Sequence, residues 1–83
     1  MWFVYILLCE DGSFYTGISN NVKKRFLEHK NGKGGYYTRS HKPIRLVYSE
    51  ELSTHSEALK REAEIKDWSR EKKIRILFLK TIR

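Results

Sequence analysis

The chain opens on an unbroken apolar and aromatic run, Trp2 to Cys9, followed after Glu10-Asp11-Gly12 by a second short run, Ser13 to Ile18. No other feature constrains the fold as much. A run of strand length with no polar face reads as a strand covered on both sides, and the turn residues between the two runs make them a β-hairpin. Because side chains alternate with period two, loop length decides which of them share a face. With Asp11-Gly12 as a two-residue turn, Leu8 faces Tyr15, and Tyr5 and Tyr15 lie on opposite faces. With Glu10-Asp11-Gly12 as a three-residue loop and Gly12 left-handed in a bulge, Cys9 faces Ser13, Leu7 faces Tyr15, and the two tyrosines share a face. The three-residue form is the expectation, because a joint role for the tyrosines requires it.

The length of 83 residues predicts one domain over residues 1–83, small enough to bury only ~60–65% of its unfolded surface. Seventeen Lys and Arg oppose ten Asp and Glu, for a net charge of +7, and the excess is clustered. His29 to Ser49 contains no acid but includes Lys30, Lys33, Arg39, Lys42 and Arg45, and from Arg70 onward Glu71 is the only acid among six Lys and Arg. Such asymmetry points to a polyanionic partner, most simply nucleic acid, against the alternative of an ordinary solvated basic surface. The opening apolar run is too short for a membrane span and lacks the basic start and cleavage site of a signal peptide. The expected location is therefore the cytoplasm, with no membrane partner. The single cysteine, Cys9, sits in that apolar run and reads as an inert core thiol in a reducing compartment.

Asn20 or Asn21 can cap a helix from Val22 to about Lys30, which Asn31-Gly32 ends. Val22 and Phe26 set its core face, with Arg25 and His29 one turn apart along its edge. Gly32 to Pro43 reads as a loop in which Lys33, Arg39 and Lys42 supply charge while Tyr36 and Tyr37 offer flat faces to bases. One of these tyrosines is expected to pack on the core and the other to stay free. Ile44 to Glu50 alternates as a third strand. Thr54-His55-Ser56-Glu57 is a capping box opening a second long helix, on which Ala58, Glu62, Ile65 and Ser69 form one stripe. Glu62 thus interrupts an apolar face and needs a cation, a hydrogen-bond network or a metal. A salt bridge to Lys66 or Arg61 and a metal-binding carboxylate stand as equal readings. Ser69 can cap a last helix whose core face is Ile74, Leu77 and Phe78.

Taken together, these residues resemble the GIY-YIG nucleases, in particular their small single-domain bacterial members. The two halves of the naming motif correspond to Phe3-Val4-Tyr5 and Tyr15-Thr16-Gly17. The helix arginine matches Arg25, the histidine one turn on matches His29, and the metal-binding glutamate matches Glu62. Asn31-Gly32-Lys33-Gly34 also looks like the small members, and the match runs from about Trp2 to Lys73. The resemblance implies an α+β fold, a three-stranded antiparallel sheet flanked by helices in the order β-β-α-β-α-α. It also implies hydrolysis of DNA phosphodiester bonds, with RNA left open, and branched or damaged DNA and a role in repair as the first context to consider. In that reading Glu62 holds Mg²⁺ or Mn²⁺, Arg25 stabilises the phosphate, Tyr5 and Tyr15 order or activate water, and His29 competes as the base. Relatives commonly draw target choice from an attached domain, so here the Gly32 to Pro43 loop, the basic C-terminal helix, a homodimer or a partner protein would supply it. Phe3 stands where the motif has Gly and Thr16 where it has Ile. Excision-repair members also carry a lysine at the place of Ile18, and a later active-site asparagine without counterpart near Ile74. That thinner set makes a catalytically weak or inactive nucleic-acid-binding module on the same fold the alternative.

Overall fold

In a computed structural model, which describes the backbone of residues 1–81 and the side chains of residues 1–77, the opening run is the centre of the sheet. The elements are β1 (Trp2–Cys9), β2 (Phe14–Ser19), α1 (Val22–Lys30), α2 (Tyr36–Ser40), β3 (Pro43–Leu52), α3 (His55–Lys66) and α4 (Arg70–Thr81). The three strands are antiparallel in the order β2-β1-β3. As the middle strand, β1 is covered on both faces, which is why it shows no polar alternation.

The hairpin takes the three-residue register. Leu7 pairs with Tyr15 and Tyr5 with Gly17. The Cys9 amide donates to the Ser13 carbonyl at 2.9 Å, the Gly12 amide closes back on the Cys9 carbonyl at 2.9 Å, and Gly12 is left-handed at φ 83°. Two layers of side chains follow from the alternation. Val4 and Ile6 join Tyr48, Ala58 and Ile65 in a core beneath α3 and α4, with Phe14, Ile18, Trp68, Ile76 and Leu77 packed around it. On the other face Tyr5, Leu7 and Cys9 are buried, and His29 of α1 lies against Tyr5.

The helix ends behave as their sequences predict. Asn21 caps α1 by accepting from the Lys24 amide at 3.1 Å, Thr54 and Glu57 form the reciprocal capping box of α3, and Ser69 Oγ accepts from the Lys72 amide at 3.1 Å. Arg70 ties α4 to the hairpin, donating to the Gly12 carbonyl at 2.7 Å with its guanidinium over the Phe14 ring.

Four details differ from expectation. The Gly32 to Pro43 segment is not all loop: residues 36–40 form the short helix α2. Strand β3 does not alternate cleanly, because its register slips between Ile6/Leu7 and Leu8/Cys9. The slips turn Ile44 and Leu46 outward while Tyr48 stays in the core. On α4 it is Ile76 and Leu77 that pack on the core, with Ile74 exposed, and the Phe78 side chain lies outside the described residues. In α1 the buried residue is His29, while Val22 and Phe26 are only half-buried.

Candidate active site

Two tyrosines stand diagonally on one face of the β1–β2 pair, Tyr5 opposite Gly17 and Tyr15 opposite Leu7, and the space around them is made by glycines. Gly17 pairs with Tyr5, and a methyl group at that position would meet the Tyr5 hydroxyl at 2.7 Å and the Tyr15 ring at 3.0 Å. Tyr5 and Tyr15 ring centroids stand 6.3 Å apart, and His29 sits 4.8 Å from Tyr15 and 6.0 Å from Tyr5. The three rings form one aromatic cluster.

A line of hydrogen bonds runs through it. The Tyr5 hydroxyl lies 2.8 Å from His29 Nε2, and His29 Nδ1 lies 2.7 Å from Thr38 Oγ1. Thr38 is the buried residue of α2. A neutral imidazole between two hydroxyls donates at one nitrogen and accepts at the other. Burial, reinforced by the Arg25 charge and only partly opposed by Glu28, pushes the His29 pKa down to about 4, so the ring is neutral at pH 7. Burial also pushes the Tyr5 phenol up to about 12, with Tyr15 and Glu62 adding to the rise and Arg25 opposing it. Tyr5 therefore carries its proton at neutral pH. His29, read from the sequence as an edge residue of α1 and a competing base, is fully buried and is engaged by the hydroxyls of Tyr5 and Thr38.

Arg25 approaches from α1. It donates to Glu28 Oε1 at 3.1 Å and to the Gly34 carbonyl at 3.3 Å, and its charge acts on the Tyr5 hydroxyl. Gly34 must be bare for a related reason: a methyl group there would overlap the His29 ring at Nδ1, Cγ and Cε1. Glu62 comes from α3 around the β2 edge, close enough for its charge to act on Tyr5. Its Oε2 lies 3.2 Å from Lys66 Nζ, which is the salt-bridge partner expected, whereas Arg61 turns to Glu50 at 3.1 Å. Among the described residues no group of three or more His, Cys, Asp or Glu could hold a metal, so a nitrogen- and sulfur-ligated ion does not fit. A hard divalent ion that keeps most of its waters does fit a single, mostly buried carboxylate paired with a half-exposed lysine.

The residues expected to touch nucleic acid flank this cluster unevenly. Tyr36 is 88% exposed. Tyr37 is the packed one, 5.8 Å from Tyr15 and stacked on His41 at 4.2 Å. Arg39 and Lys42 line a surface depression of about 310 Å³ together with Glu10, Asp11, Ser40 and His41, and Lys33 is exposed beside the end of α1. Asp11 accepts from Ser13 at 2.6 Å and pairs with His41 at 2.6 Å. The Ser13 hydroxyl and amide, then His41, hold its carboxyl well below the usual range. Sequence reasoning missed Thr38, which carries no pattern of its own, as well as Lys73 and the second setting of Lys66 beyond its pairing with Glu62. These two lysines line a cleft of about 260 Å³ with Phe14, Tyr15, Thr16 and Tyr37.

The profile described as the GIY-YIG catalytic domain matches residues 1–75. A UPF0213 protein of Staphylococcus saprophyticus is 49% identical over 75 residues, covering 90% of this chain and 92% of the relative, and one of Staphylococcus epidermidis is 51% identical over the same span. The solution structure of a UPF0213 protein from Bacillus halodurans shares 44% identity at a TM-score of 0.61, covering 96% of this chain and 86% of that one. A solution structure from E. faecalis shares 37% identity at a TM-score of 0.62, covering 98% and 86%.

Proposed function

The chain belongs to the GIY-YIG family, and from that premise we propose that it is a metal-dependent endonuclease hydrolysing DNA phosphodiester bonds. The family has a nuclease fold and generally uses a divalent metal. One observation supports the reading above the others: the Tyr5–His29–Thr38 hydrogen-bonded line ends on a hydroxyl that also feels the charges of Arg25 and Glu62.

Tyr5 and Tyr15 hold the attacking water between them. A neutral phenol with a raised pKa is a poor base by itself, but hydrogen-bonded to a neutral imidazole it can take the water's proton while passing its own to His29 Nε2. Thr38 Oγ1 accepts from Nδ1–H in that tautomer and holds the ring in place, so His29 and Thr38 work through Tyr5. Arg25 binds the phosphate oxygens where negative charge builds, its guanidinium fixed by Glu28 and Gly34. Glu62 would hold Mg²⁺ or Mn²⁺, which when bound supplies Lewis-acid polarisation of the phosphate. Lys33, Tyr36, Tyr37, Arg39 and Lys42 would steer and stack the strand around this centre.

The test incubates the protein with supercoiled, linear and branched DNA and with RNA, in Mg²⁺ or chelator, beside Glu62→Ala. Cleavage that needs both Mg²⁺ and Glu62, and that drops about 10²–10⁴-fold in Tyr5→Phe, is the expected result. Salt-sensitive binding without cleavage under any of these conditions would move the assignment to a nucleic-acid-binding module.

A further inference from the structure

Lys66 faces two ways. Its Nζ is 3.2 Å from Glu62 Oε2, in an i,i+4 pair in which the lysine side chain is 56% exposed and the glutamate only 18%. The same lysine lines the cleft of about 260 Å³ formed with Phe14, Tyr15, Thr16, Tyr37 and Lys73. Two lysines and no acid line that cleft, and the aromatic pair Tyr15–Tyr37 forms its wall. An i,i+4 ion pair whose lysine stands largely in solvent is weak and exchangeable, and a lysine's four-carbon stem lets its ammonium swing between neighbouring anions.

We propose that Lys66 is a cation shared by two anions, neutralising Glu62 when that carboxylate carries no divalent ion and binding a phosphate of the strand along Tyr15 and Tyr37 when it does. The inference rests on the nuclease reading and adds to it a positioning residue and a phosphate subsite completed by Lys73 of α4. A divalent ion at Glu62 repels the ammonium beside it, so ion binding releases Lys66 toward the cleft. Linkage makes the effect reciprocal: a phosphate held by Lys66 raises the affinity of Glu62 for the ion.

Direct binding measurements test this on the full chain. Mn²⁺ is titrated by the loss of its free paramagnetic resonance signal. A 5′-phosphorylated thymidine dinucleotide is titrated by NMR with and without Mn²⁺. Lys66→Met is expected to bind Mn²⁺ about two- to fivefold tighter than wild type, the worth of an i,i+4 pair with a solvent-facing lysine. It should also bind the dinucleotide more weakly and lose part of the Mn²⁺-dependent gain. Lys60→Met removes the same charge from the same helix and should change neither Mn²⁺ affinity nor the coupling. Lys73→Met should weaken the dinucleotide alone. If Glu62→Gln weakens Mn²⁺ binding but Lys66→Met leaves it unchanged or weaker, the shared-cation proposal falls and the nuclease reading stands. If Glu62→Gln binds Mn²⁺ as wild type does, both fall.

Discussion

Gly34 shows how narrowly single residues are set around His29. A β-carbon there would overlap the imidazole, and that ring cannot retreat because both its nitrogens are engaged, with Tyr5 and Thr38. Gly34→Ala is therefore expected to cost about 1–3 kcal/mol by overpacking, read as a lower urea midpoint at unchanged slope. An unaltered midpoint would mean that the ring has room to shift. Thr16 offers the opposite case. Its Oγ1 is the one buried side-chain polar atom without a partner among the described residues, at the place where the motif carries Ile. An unsatisfied buried hydroxyl costs about 1–3 kcal/mol, so Thr16→Val is expected to raise stability by about 1 kcal/mol. A loss of stability would show that the hydroxyl has a partner such as bound water.

At the scale of elements, α2 is the least self-sufficient part of the fold. It has five residues, and its N-cap, Gly35, makes no side-chain cap hydrogen bond. An isolated turn of this length is unstable by itself, so its position comes from outside. Thr38 is tied to His29, Tyr37 stacks on His41, and His41 is tied to Asp11 in the hairpin turn. Removing the outer tie with Asp11→Ala should leave global stability nearly unchanged, because the pair is half exposed. It should nevertheless speed amide exchange locally in residues 36–41. Uniform exchange across the chain, or none gained in α2, would show that the Asp11–His41 contact does not hold the helix.

The whole molecule is expected to lose stability in acid, and His29 sets part of the window. Its folded pKa of about 4 lies below the ordinary value of 6.5, so the unfolded chain takes up a proton first as pH falls. The stability tied to the neutral ring is complete above about pH 6.5 and is lost between there and about pH 4, on the order of 3 kcal/mol. Asp11, with its depressed pKa, works in the same direction at lower pH but adds little, because its partners are screened by solvent. Urea midpoints measured from pH 7 to pH 4 should fall, and His29→Gln should flatten the upper part of that slope. A wild-type profile as flat as that of His29→Gln would show that the imidazole is not held neutral by the fold.

By itself the sequence determined whatever depends on near neighbours. The central strand, an asparagine cap before α1, the caps at Thr54 and Ser69, and the inward tilt of Glu62 follow from period and capping, which act over a few residues. Local pattern left two hairpin registers open, and the three-residue one rested on the joint role read for the tyrosines. Tertiary structure alone decided what depends on distant segments meeting. Thr38 becomes a partner of His29 only because the chain between Gly32 and Pro43 folds back over α1, and the burial that neutralises the ring is a property of that packing. The register slips in β3 answer to β1, and the cleft shared by Lys66 and Lys73 exists only where α3 and α4 come together at the β2 edge. Helical spacing puts Glu62 and Lys66 within reach of each other. That the same lysine also borders Tyr15 and Tyr37 is set by the path of the chain, which no local pattern records.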